Sequence, residues 1–181
     1  MKRLVNHFVF SAVLIGLVSG CGQSASTPEQ STSNEPTASE SATTTKVLLT
    51  SEPAGAEEVI AARQSAEDDA EVVVVGRIGG SENPWVDGRA AFSIVDNSLK
   101  ACSDIEGDGC EKPWDYCCET DKLPTATALV KVVNQDGTLI NEDARKLLNL
   151  KELQTVVVKG KAKRDDAGNL TVFANGIFVR K

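Results

Sequence analysis

The chain has 181 residues and a formal charge of -7, with 41% apolar and only 4% aromatic residues. That length holds one domain with extensions and is too short for a doubly wound enzyme with a separate substrate domain. The acid excess, 26 Asp and Glu against 19 Lys and Arg, leaves no cationic footprint for a phosphate backbone and disfavours nucleic-acid binding.

Lys2 and Arg3 precede an apolar run at residues 8–18. The run is about half the ~20 residues needed to cross a bilayer and has the length of a signal-peptide core. It ends in Val18-Ser19-Gly20-Cys21, an aliphatic residue and two small ones before a cysteine. This resembles the lipobox of bacterial lipoproteins. The resemblance implies diacylglyceryl transfer to the Cys21 thiol, cleavage before Cys21, and acylation of the new amino terminus by a chain such as palmitate. Two or three chains hold a protein stably at a membrane, where one holds it only marginally. Gly22, in place of the Asp that retains such proteins at an inner membrane, points to the outer membrane. Loss of residues 1–20 removes Lys2 and Arg3, moving the charge from -7 to -9. It also removes His7, the sole histidine, and with it any imidazole-based triad or metal site.

Residues 21–45 form a Ser/Thr-rich stretch without large apolar side chains, the composition of a disordered tether. The folded domain is expected over residues 46–181. Residues 53–66 read as a short helix with Ser51 as cap and Pro53 in its first turn. Residues 71–78 form a β-branched run around Gly76, the mark of a buried strand. Asn83-Pro84 and Asp87-Gly88 signal a loop, and residues 90–95 alternate with Phe92 and Ile94 on one face. Residues 126–133 read as a strand and 141–150 as an amphipathic helix capped by Asn141. Residues 155–162 and 170–179 pair as strands across the turn at 165–169.

The order of strand, strand, strand, short helix, strand, strand resembles the oligonucleotide/oligosaccharide-binding (OB) fold. Phe92-x-Ile94-x-Asp96, the bent strand at Gly76 and the last two strands carry the likeness. It implies a mainly β, five-stranded Greek-key barrel with a helix between its third and fourth strands. The chain departs from the simple pattern in a Cys-rich insert at residues 97–124, between the second and third barrel strands. A generic small barrel or sandwich is the alternative.

The insert holds Cys102, Cys110, Cys117 and Cys118, every cysteine of the domain. In an exported protein an even count is expected to form two disulfides that pin the loop. Adjacent Cys117 and Cys118 seldom pair with each other, so Cys102 and Cys110 would each take one of them. A thiolate site for Zn or Cu(I) is the competing reading, although intervals of seven, six and zero residues do not match the paired knuckles of structural zinc sites. A redox role lacks its C-x-x-C. Asp104, Glu106, Asp108 and Gly109, then Asp115, follow EF-hand loop spacing with two departures, which raises Ca²⁺ against a plain solvated acidic loop. No metal and no cofactor is assigned on this pattern. The segment Pro113-Trp114-Asp115-Tyr116-Cys117-Cys118 also resembles a string in uncharacterised bacterial lipoproteins, which implies kinship without activity.

OB folds bind between the loop joining strands one and two and the loop joining strands four and five. The first loop here holds Trp85, flanked by Arg77 and Arg89; the second follows Arg164 with Asp165 and Asp166; the insert adds Trp114 and Tyr116. Exposed Trp beside Arg suits stacking on a sugar, base or peptide ring, whereas the alternative has both tryptophans plugging the barrel ends. No nucleophile sits beside a base, so no catalytic set assembles. The expectation is a lipid-anchored envelope module that binds or assembles with a protein, peptide or glycan. The competing class is a metal-binding protein using the insert.

Overall fold

The computed structural model describes residues 47–181. The expected signal peptide, the expected lipidation site Cys21 and the expected tether lie outside the described residues. The elements are β1 (Glu57–Glu58), α1 (Val59–Ser65), β2 (Glu71–Ile78), β3 (Ala91–Val95), a 3₁₀ turn (Cys102–Asp104), α2 (Leu123–Ala126), β4 (Thr127–Val132), α3 (Ala144–Leu148), β5 (Thr155–Arg164) and β6 (Leu170–Val179). No helix among the described residues is long and apolar enough to cross a membrane.

Strands β2 to β6 close into a barrel. β2 pairs antiparallel with β3, and β3 with β4; β4 pairs parallel with β6, β6 antiparallel with β5, and β5 returns to β2. The parallel β4–β6 pairing and the β5–β2 closure make it an OB-like barrel with α3 between its third and fourth strands. Closure leaves no long edge for other chains to pair with. The alternation of β4 is regular, with Ala128, Val130 and Val132 turned inward. β2 and β3 are largely buried on both sides because β1, α1 and the insert cover part of their outer face. Val74, Ile78, Phe92, Ile94, Val130, Val156, Val158, Val172 and Ile177 fill the interior, so the barrel is a packed core without a channel.

The first helix differs from the expectation over residues 53–66. Gly55 takes a positive φ of 78°, which interrupts a right-handed helix, and Glu57–Glu58 runs parallel to Val74–Val75 of β2 instead. Only Val59–Ser65 is helical, and Ser51 does not cap it. One of the free N-terminal amides is met from across the fold: Ile60 N donates to Asp96 Oδ2 at 2.7 Å. Gly76 is a site of close approach and no bend. Its pairing with Val156 is regular, while a Cβ would lie 2.9 Å from both Val59 Cγ2 and the Val95 carbonyl oxygen. The irregularity falls in the β5–β6 pairing opposite Lys159/Gly160, where Asn175 of β6 is the extra residue. In α3, Asp143 replaces the expected Asn141 as cap and accepts from Arg145 N at 2.9 Å, because Asn141 Oδ1 is taken by Arg89.

Candidate functional site: the cysteine insert at the barrel rim

The insert folds onto the barrel through a small core of its own. Tyr116 is fully buried among Val95, Leu99, Ala101 and Ala126, with Leu123 and Leu153 packed alongside. Two backbone bonds zip its arms together: Cys102 N donates to Asp115 O at 2.8 Å and Ser103 N to Pro113 O at 3.0 Å. Gly79, the first residue after β2, has no room for a side chain; a Cβ there would lie 2.6 Å from Trp114 O and 2.9 Å from Tyr116 Cε2. The next loop is tied on as well. Gly80 N donates to Trp114 O at 3.3 Å, Trp114 Nε1 donates to Glu82 O at 3.0 Å, and Lys112 faces Glu82 at 3.6 Å. The insert and the loop between β2 and β3 therefore form one surface.

Several expected contact residues are structural. Trp85 is 5% exposed; its ring meets Phe92 at 5.6 Å, Arg145 covers it at 5.6 Å, and its Nε1 donates to Glu152 Oε1 at 2.6 Å. It closes over the core and offers no free face, as in the plug alternative. Tyr116 lies deeper still, and burial pushes its phenol up to about 12 while its hydroxyl has no hydrogen-bond partner. Arg77 donates to Leu153 O at 3.1 Å and pairs with Asp104, so it clamps the insert to β2 instead of facing a ligand. The same arginine holds the Asp104 carboxyl below its usual range. Arg89 is exposed and Trp114 is half-buried at the surface. The 165–169 loop is closed on itself, with Asp165 accepting from Ala167, Asn169 N and Asn169 Nδ2.

The EF-hand-like carboxylates do not converge. Asp104 faces Arg77, Asp115 Oδ1 accepts from Tyr116 N at 2.8 Å, and Asp108 Oδ1 accepts from Cys110 N at 2.8 Å. Of these, Asp108 alone joins a cluster of possible metal ligands among the described residues, and its partners are thiols.

The thiols do converge. The two disulfides expected from the even count are not formed; Cys102, Cys110, Cys117 and Cys118 are all free. Cys117 turns inward, its Sγ 3.3 Å from Cys102 Sγ, while Cys118 turns out toward Asp108 Oδ2 at 3.9 Å. The Cys117 and Cys118 sulfurs stand 4.0 Å apart, farther than the Cys102–Cys117 pair. The Sγ atoms of Cys102, Cys110 and Cys117 all lie within 4.8 Å of one another, as do the ligand atoms of Asp108, Cys117 and Cys118. Cys102 is buried, Cys110 half-buried, and Cys117 and Cys118 exposed, so the cluster runs from a closed floor to open solvent. Burial, then hydrogen bonding to Cys117, pushes the Cys102 thiol up to about 12. Cys117 is pulled down by Cys102 but ends above the usual thiol value through Cys118 and burial.

A separate cleft of about 960 Å³ opens beside Asn134, Asp136, Lys161 and Phe173, away from every residue singled out in the sequence. Comparison with protein-family models and with curated proteins finds no match for the chain.

Proposed function

We propose that the chain is a lipid-anchored, non-catalytic binding or assembly module of the cell envelope, anchored through Cys21 and held at the outer membrane. The closed barrel is its support, and the composite rim of residues 79–90 with the insert is its contact surface. The observation that carries this reading is the clamp between the insert and the loop at Gly80, Glu82, Lys112 and Trp114. An insertion that long costs little in closure entropy if it dangles, so fixing it in place over buried Tyr116 builds surface. The 79–90 loop presents Val86, the one exposed large apolar side chain among the described residues at 41%, with Arg89 bonded to its carbonyl, and the clamp presents half-buried Trp114 with Lys112 and Glu82. A surface offering an apolar and an aromatic side chain among mixed charges suits a protein or peptide, with a glycan as the other class that stacks on Trp114. Nucleic acid is disfavoured by the charge of -7.

The test is photo-crosslinking of the full chain in the envelope from Val86 and from Trp114, with Lys159, an exposed residue of β5, as control. A discrete adduct at the two rim positions and none at Lys159 supports the reading. Equal labelling at all three, or none at the rim, contradicts it.

A further inference from the structure

The geometry points to a metal site: we propose that Cys102, Cys110 and Cys117, with Cys118 as fourth ligand, bind one thiophilic d¹⁰ cation, zinc(II) or copper(I). Neither the lipid anchor nor the partner of the rim enters into it.

Distances come first. Sulfurs bound to one tetrahedral zinc at ~2.3 Å each stand ~3.8 Å apart along the edges of the tetrahedron. The closest pairs here are 3.3 Å for Cys102–Cys117 and 4.0 Å for Cys117–Cys118, and the three converging sulfurs stay within 4.8 Å. A disulfide needs ~2.05 Å, and it joins sulfurs two at a time. Three sulfurs gathered around one point suit a shared cation, because a disulfide between any two of them leaves the third to pair outside the trio, with Cys118.

Chemistry narrows the ion. The described residues contain no histidine, and Asp104 and Asp115 of the insert are engaged away from the cluster. A purely sulfur set selects soft d¹⁰ ions over calcium or magnesium. Each thiol releases its proton to solvent as the cation enters, so no electron transfer is involved.

The support is built in advance. Cys102 sits in a 3₁₀ turn whose next residues are fixed by Asp104 to Arg77 and by Ser103 N to Pro113 O. Cys117 follows buried Tyr116 directly, and Cys110 is set by its own amide on Asp108. The barrel therefore positions two ligands and a turn positions the third. Exposed Cys118 is left on the solvent side to close the site after the cation arrives.

The test uses the full chain extracted from the envelope in detergent without chelator, analysed for metal and for alkylatable thiols, followed by cobalt(II) titration of the reduced, metal-free protein. Expected are near-stoichiometric zinc or copper, thiols that react only after a chelator is added, and a 1:1 cobalt complex with sulfur-to-metal charge-transfer absorption. Cys110→Ser and Cys118→Ser avoid the buried floor and leave the fold intact by circular dichroism. Loss of an outer-shell partner alone costs 10- to 100-fold in affinity, so loss of either direct ligand is expected to exceed ~100-fold. Zinc or copper loss in both variants supports the four-sulfur site; metal retained by Cys118→Ser and lost by Cys110→Ser would overturn the assignment of Cys118 as fourth ligand. A metal-free chain carrying two disulfides, or cobalt binding unaffected by both substitutions, would overturn it.

Discussion

Two buried polar side chains, handled in opposite ways, account for how the insert is held. Asp96, 3% exposed, is fully used: its carboxylate accepts from Ile60 N, from Ser98 N at 3.0 Å and from Ser98 Oγ at 2.6 Å, joining α1 to the start of the insert. Replacing it with Ala strands these donors, and a cost of about 1–3 kcal/mol is expected in urea denaturation. The Tyr116 hydroxyl is the reverse case, buried without a partner. Tyr116→Phe removes an uncompensated polar group and is expected to hold or raise the melting temperature. Tyr116→Ala empties the centre of the insert and is expected to cost about 3–5 kcal/mol. A loss of stability in Tyr116→Phe comparable to that of Tyr116→Ala would show that the hydroxyl has a partner.

At the scale of elements, α3 offers a titratable cap. The Arg145 side chain, ahead of the backbone bond from Arg145 N, pulls the Asp143 carboxyl down to about 2, below the ~3.9 of an unfolded Asp. A depressed folded value means that the cap stabilises above the unfolded pKa and is lost as pH falls from about 4 toward 2. Asp143→Asn keeps a capping oxygen but cannot titrate, so denaturation midpoints measured from pH 5 to 2 should fall less steeply in the variant. Equal slopes would deny Asp143 this role. The barrel strands were legible because β-branched runs and turn dipeptides act locally: β2 and β6 begin and end where the pattern places them. What was not legible depends on long-range partners. α1 is capped by Asp96, 36 residues away, and Trp85 is turned inward by Glu152, 67 residues away. The thiol cluster escaped the spacing rules for a similar reason. Its sulfurs converge because two arms of the insert lie side by side, which no interval between cysteines encodes. Glu82 and Val86, which help to form the rim, carried no motif at all.

At the scale of the whole molecule, the barrel is closed and internally filled, so recognition falls to what is mounted on its rim. The sequence around Cys21 supplies the proposed attachment, the composition of residues 21–45 a spacer, and the insert the element that distinguishes this chain from a plain barrel. These proposals meet in one observable. Native mass spectrometry of the full-length product, released from envelope membranes in detergent without chelator, reads anchor and insert together. The predicted result is a chain that lacks residues 1–20, carries acyl chains at Cys21, and holds one metal ion that leaves when the insert is unfolded. A chain that retains residues 1–20 without lipid, or a lipidated chain four hydrogens light and free of metal, would contradict the account, the first at the anchor and the second at the insert.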